Sequence, residues 1–329
     1  MRRIGNAHTG LSRTPMRLPQ WHLHTREVWS AIDLLSFDGS LNARFIHHYH
    51  LLPYHVGTRD HRVGNGPHRI RSLGLIPALE KLNVPINVIE IPPVDTFEGE
   101  IGRSFELLRR TSTAVSQAAA QNSFPLILSG NCMASVGAAC GLPARDLGFI
   151  YFDAHDDLDS PDVNENGYFD AMGLSMLRGE SWKTLMNTVP GFTPRIYRDR
   201  FLYCGLRDHT PLQRRRVLDA GMAAVWGGAR ADAKVDFAAQ LERELSAREY
   251  GPAPVHLDLD VLDESYGKGG LIACMDLVPR MRMTPQSLTV CSFDPDAGDG
   301  DRIAGIAVRA VTAFVRALLD TNNLVKARE

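Results

Sequence analysis

The chain has 329 residues, 44% of them hydrophobic and 22% charged, which is enough apolar surface for a large core and too little charge for general disorder. With 36 basic against 38 acidic residues the net charge is −2, so no overall field favours nucleic acid or an anionic membrane, and the expected partner is a small molecule. The five cysteines, Cys132, Cys140, Cys204, Cys274 and Cys291, include no C-x-x-C pair, and no apolar run reaches the roughly 18 to 20 residues of a membrane span; both point to a cytosolic protein rather than a disulfide scaffold.

Residues 1–26 hold five arginines and no acid, a composition with a weak transit-peptide flavour, but Pro15 and Pro19 interrupt any amphipathic helix there. Residues 1–28 therefore read as a mobile N-terminal extension, and 29–329 as one catalytic domain. From Trp29 onward, short apolar runs alternate with longer helical patterns. Strands are expected at 29–35, 86–90, 125–129, 147–152, 200–205, 222–226, 254–259 and 287–293, and helices at 69–82, 100–121, 133–141, 211–220, 235–248, 271–283 and 303–320. This rhythm predicts an α/β fold, a mostly parallel sheet with helices on both faces. The stretch 36–68 breaks the pattern. It carries His47, His48, His50, His55, His61 and His68, whose spacing matches no closed zinc site, and it reads as a solvated or locally packed loop.

Two segments carry chemistry. Asp153-Ala154-His155-Asp156-Asp157 follows the apolar run Leu147–Phe152, at the end of a parallel strand where α/β sheets bind ligands. Extended geometry would send Asp153, His155 and Asp157 to one side, with Ala154 and Asp156 pointing away. The run Val255–Asp260 repeats the device: Val255, Leu257 and Leu259 share one face, and His256, Asp258 and Asp260 the other. Four aspartates in one cleft would repel strongly at low dielectric, and divalent cations compensate them most directly. Oxygen-rich coordination with one imidazole suits Mn²⁺, or Fe²⁺ and Co²⁺, better than a structural zinc site.

Asp153-Ala154-His155-x-Asp157 resembles the D-A-H-x-D signature of the ureohydrolases, the arginase, agmatinase and formimidoylglutamase family, and Asp258-Leu259-Asp260-Val261-Leu262-Asp263 resembles their D-x-D-x-x-D-P signature. Gly64-Asn65-Gly66-Pro67 with Ile70 and Arg71, Gly205-Leu206-Arg207-Asp208, and Gly269-Gly270-Leu271 are similar to weaker family motifs in the same order. The resemblance implies a three-layer αβα fold, a homo-oligomer (trimer or hexamer), and a pair of manganese ions bridged by hydroxide. It implies that Asp153 and Asp258 bridge the ions, that Asp157 completes the shell of the first, and that His155 and Asp260 complete that of the second. Two cations lower the pKa of a shared water from 15.7 toward about 7, which creates a nucleophile for an amidino or guanidino carbon. Asp157 is the expected general acid toward the departing amine.

The chain departs from the family at several positions. Where the family supplies a histidine ligand, Ser129-Gly130-Asn131-Cys132 offers Cys132, at a helix start that would favour a thiolate. Cys132 is a candidate metal ligand that shifts preference toward Fe²⁺, Co²⁺ or Zn²⁺; the alternative is a small buried residue beside a weakened site. The other four cysteines read as core. Asp170 stands where the family often has a proton-relaying histidine, and Asp294 aligns with the glutamate that grips the guanidinium. Asp159, Asp208 and Asp294 are the candidate substrate contacts. Thr210 and Asp159 replace residues with which arginases read the amino-acid end of arginine, so a modified guanidine such as N-hydroxyarginine is expected in preference to arginine. A binding or regulatory relative that has lost one metal, and a zinc deacetylase-like hydrolase, are the competing readings.

Overall fold

In the computed structural model, residues 48–84, 86–94, 99–227, 236–262, 270–281 and 283–321 are described. Eight strands form one sheet: β1 (His48–Leu52), β2 (Asn87–Glu90), β3 (Leu126–Ser129), β4 (Phe149–Phe152), β5 (Phe201–Leu206), β6 (Ala223–Trp226), β7 (Ala253–Asp258) and β8 (Pro285–Cys291). Their order is β2-β1-β3-β8-β7-β4-β5-β6, and every pairing in it is parallel. Among the described residues, ten α-helices connect and cover them: α1 (Gly66–Ser72), α2 (Leu75–Glu80), α3 (Glu100–Ala120), α4 (Met133–Gly141), α5 (Gly173–Leu177), α6 (Lys183–Met186), α7 (Pro211–Asp219), α8 (Phe237–Ala247), α9 (Gly270–Leu277) and α10 (Gly300–Asp320).

Strand parity sorts the core into layers, because successive side chains leave opposite faces of the pleat. Leu126, Leu128, Ile150, Phe152, Val255, Leu257, Leu288 and Val290 join α1, α2, α8, α9 and α10 on one face. Phe149, Tyr151, Phe201 and Tyr203 pack toward α3, α4, α5 and α6 on the other, with Ile127 and Leu52 beside them. The result is the expected three-layer αβα arrangement. No helix among the described residues is long and apolar enough to cross a membrane.

Three sequence expectations need correction. His48–Leu52 is not loop but a fully buried strand between β2 and β3; its two histidines disguise a pattern in which Tyr49 and Leu51 are both 0% exposed in the core. Helix 69–82 is two helices, because Gly74 between them takes φ +96°, outside helical geometry. Helix 271–283 ends at Leu277, followed by a 3-10 turn over Val278–Arg280 that accommodates Pro279. The strand expected at 29–35 and the extension at 1–28 lie outside the described residues.

The topology decides where chemistry can sit. β3, β8, β7 and β4 are consecutive neighbours, and since all are parallel, their C-terminal ends lie along one edge of the sheet. Cys132, Ser292, Asp258 and Asp153 therefore follow adjacent strands. The registers Tyr151↔His256 and Phe152↔Leu257 make the two acidic strand tips immediate neighbours.

Candidate metal centre

A cavity of about 180 Å³ opens at these four strand ends, lined by Cys132, Asp153, His155, Asp156, Asp157, Tyr168, Asp170, Ala171, Gln213, Asp258, Asp260 and Ser292. β4 stops at Phe152, so the loop beyond it is no longer extended, and Asp157 takes φ +49°. That bend brings Asp156 to the cavity wall as well, against the alternation expected from a continuing strand. His155 Nδ1 stands 2.9 Å from Asp260 Oδ2 and 3.6 Å from Asp153 Oδ1. Donor atoms of Asp153, His155 and Asp260 lie within 4.8 Å of one another, as do those of Cys132, Asp153 and Asp157. Asp153 belongs to both groups.

The surrounding backbone is tied down residue by residue. Arg207 and Asp208 donate their backbone N–H groups to Ala154 O at 3.0 and 2.9 Å, while the Arg207 guanidinium donates to Asp260 O at 2.7 Å and Val261 O at 3.1 Å. One residue thus clamps both acidic loops. Each loop also closes on itself, His155 N donating to Asp153 Oδ1 and Asp260 N to Asp258 Oδ1, both at 2.7 Å. Asp170 reaches across to the start of α4: its Oδ2 accepts from Asn131 Nδ2 at 2.7 Å and Cys132 N at 3.2 Å, its Oδ1 from Met133 N at 3.0 Å. These groups would otherwise be unsatisfied donors at the helix N-terminus.

A family model described as the arginase family matches residues 52–273, two thirds of the chain and both acidic motifs. The chain belongs to the arginase family. An arginase from Staphylococcus aureus is 29% identical over 181 residues, covering 51% of this chain and 59% of that protein, so the chain spans about three fifths of the length of that curated relative. Among solved structures, an arginase from Bacillus subtilis superposes with a TM-score of 0.70 at 21% identity, covering 83% of this chain and 98% of that one. Formimidoylglutamase from Bacillus subtilis superposes with a TM-score of 0.60 at 13% identity, covering 86% and 89%. At such identities these two likenesses carry the fold.

The cations this family implies fit the residues present. Burial pushes the Asp157 and Asp258 carboxyls well above the usual carboxylate range, and the charge of Asp153 raises both further. Burial pushes Asp153 the same way, yet the His155 and His256 rings outweigh it and hold it low. His155 is raised because Asp153 and then Asp260 accept from it. Asp153 Oδ2 is buried without a hydrogen bond, with only the His256 ring 3.4 Å away. Crowded buried carboxylates, one of them with an oxygen that no hydrogen bond satisfies, are what a divalent ion would compensate.

Cys132, Asp153, His155, Asp157, Asp170, Asp258 and Asp260, all expected from sequence, line this one cavity. Asp159, Asp208 and Asp294 do not. Asp159 is held by Arg216 and accepts from Asn164 Nδ2 at 2.8 Å; Asp208 is exposed; Asp294 folds back to accept from Asp296 N at 3.1 Å. The loop after β8 instead presents Ser292, which takes φ +57°. Cys132 also departs from expectation: the helix start does not acidify it, because the hydrogen bond with Cys291 and then burial push its thiol well up. Sequence reasoning missed His256, stacked on Tyr151 at 3.9 Å, Tyr151 itself, which donates to Asp157 Oδ2 at 2.6 Å, and Cys291, whose Sγ lies 3.7 Å from that of Cys132. Strand parity already placed His256 beside Asp258; only the strand order places Cys291.

Proposed function

We propose that the chain is a metal-dependent hydrolase that cleaves a C–N bond of a linear guanidino or amidino compound with two divalent cations. The observation that carries this reading is the pair of donor groups sharing Asp153 at adjacent strand tips. Cys132, Asp153, His155, Asp157, Asp258 and Asp260 would hold them. When bound, the cations supply Lewis acidity toward the substrate nitrogen and lower the pKa of a shared water toward about 7.

The chain's own residues do the remaining work. Tyr151 fixes the Asp157 carboxylate by its hydroxyl, so that this group can take up the proton released during attack and return it to the departing amine. Asp170 holds Cys132 and the start of α4 in place rather than relaying protons, since its oxygens are occupied by three donors. Tyr168, Gln213 and Ser292 line the same cavity and are the uncharged groups available to orient a substrate there. A modified guanidine, N-hydroxyarginine among them, suits such a lining.

The test is release of urea, a urea analogue or ammonia across a panel of guanidino and amidino compounds, with Mn²⁺, Co²⁺, Fe²⁺ and Zn²⁺ each supplied in turn. Asp153→Asn is the control. Product formation that disappears in this variant supports the proposal. A chain that binds no more than one ion and releases no product with any pairing is a binding relative instead.

A further inference from the structure

We infer that Cys132, Cys291, His256 and Asp258 form a thiolate-rich metal site, the inner of the two, which takes Zn²⁺ in preference to Mn²⁺. This rests on the proposed two-cation centre and adds to its inner half two donors, Cys291 and His256, that lie outside the acidic motifs. The four donor atoms lie within 4.8 Å of one another, and all four residues are buried.

The distances suit one ion. Two thiolates about 2.3 Å from a tetrahedral zinc stand about 3.7 to 3.8 Å apart; Cys132 Sγ and Cys291 Sγ are separated by 3.7 Å. Cys291 Sγ lies 3.8 Å from His256 Nε2, while Cys132 Sγ donates a hydrogen bond to Asp258 Oδ2 at 2.7 Å, a proton that an ion would displace as the two atoms part to about 3.5 Å. The fold builds this set from neighbouring strands: the registers Thr289↔His256 and Cys291↔Asp258 put three donors side by side on the face toward α4, and Cys132 precedes that helix.

His256 has one nitrogen held from outside the site, which leaves Nε2, 3.4 Å from Asp153 Oδ2, as the nitrogen available to an ion. Its Nδ1 is 2.6 Å from Ser135 Oγ, and its ring lies 14° from parallel to Tyr151. Metal-bound imidazoles are held in this way, one nitrogen on the ion and the other on an outer partner. The outer group, Asp153, His155 and Asp260, is oxygen-rich with one imidazole, whereas the inner one has two sulfurs. Soft thiolates favour Zn²⁺, and Mn²⁺ least among the first-row divalent ions. The two halves of the centre therefore differ in the ion they select.

The full-length protein loaded with one equivalent of Zn²⁺ is examined by X-ray absorption at the zinc edge. Two sulfur scatterers at about 2.3 Å are expected, falling to one in Cys291→Ser, with a 10- to 100-fold loss of Zn²⁺ affinity relative to Mn²⁺ in competition dialysis. One sulfur or none in the wild type, or a Cys132–Cys291 disulfide found in the zinc-loaded protein by mass spectrometry, overturns the inference. The wild-type measurement decides even if the variant does not fold. Sulfur ligation without guanidine hydrolysis would remove the proposed function alone; hydrolysis without sulfur ligation would remove the inference alone.

Discussion

Replacing Asp170 by alanine should destabilise the metal-free protein by about 3 to 5 kcal/mol. The carboxylate is 4% exposed and satisfies the side chain of Asn131 and the backbone N–H groups of Cys132 and Met133. Each buried donor left without an acceptor costs about 1 to 3 kcal/mol, and the adjoining cavity lets water recover part of that sum. Asp170→Asn keeps one carbonyl acceptor but loses the charge that faces the positive end of α4, so about 1 to 2 kcal/mol is expected. The assay is urea unfolding at pH 7.5, followed by both tryptophan fluorescence and far-ultraviolet circular dichroism, with coincident transitions required before free energies are compared. Against a typical total of about 5 to 15 kcal/mol the alanine variant should be near its folding limit. An alanine variant within about 1 kcal/mol of the wild type, with an unchanged slope in urea, would refute the capping role and return Asp170 to the list of proton carriers.

Three further outcomes are expected. Burial, then the neighbouring His48, lowers His50 to about 4; a folded value below the unfolded 6.5 means stability that is complete above pH 6.5 and lost as the pH falls toward 4. Between pH 7 and 4.5 the wild type should lose about 2 to 3 kcal/mol more than His50→Gln, and parallel pH profiles from urea midpoints would sink this. At Gly130, an added Cβ would meet Tyr54 O at 2.0 Å and Gly64 Cα at 2.9 Å, both backbone, so Gly130→Ala should cost about 3 kcal/mol or more, read as a lower thermal midpoint and lower soluble yield. Tyr151→Phe removes the hydroxyl that fixes Asp157 at 2.6 Å and should weaken metal binding 10- to 100-fold with the fold intact, a change that equilibrium dialysis would detect.

The acidic motifs were legible because each ends an apolar run, and a parallel strand fixes which edge of the sheet its last residue reaches. Seven of the ten candidate site residues line one cavity, as expected on that ground for the strand-tip acids. What failed did so for nameable reasons. β1 was hidden by histidines that a fully buried strand nevertheless accepts. Alternation was carried past the strand end at Phe152 as far as Asp157, so Asp156 was turned away from a wall it forms. Cys291 sits in an unremarkable apolar run, and nothing local reveals that β8 pairs with β7 and β3 rather than lying at an edge. Long-range strand order is what local pattern does not encode at Cys291.

That order has a consequence for how the molecule is made. Among the described residues, β8 is the strand furthest along the chain, and it is inserted at the middle of the sheet as the link between β2-β1-β3 and β7-β4-β5-β6. Without Pro285–Cys291 the other described strands fall into two separate groups with open edges, Cys132 following one while Asp153 and Asp258 belong to the other. The proposed ion site therefore cannot close before β8 joins, and a chain that stops short of Pro285 should give half-sheets that associate through their edges, read as aggregation by light scattering.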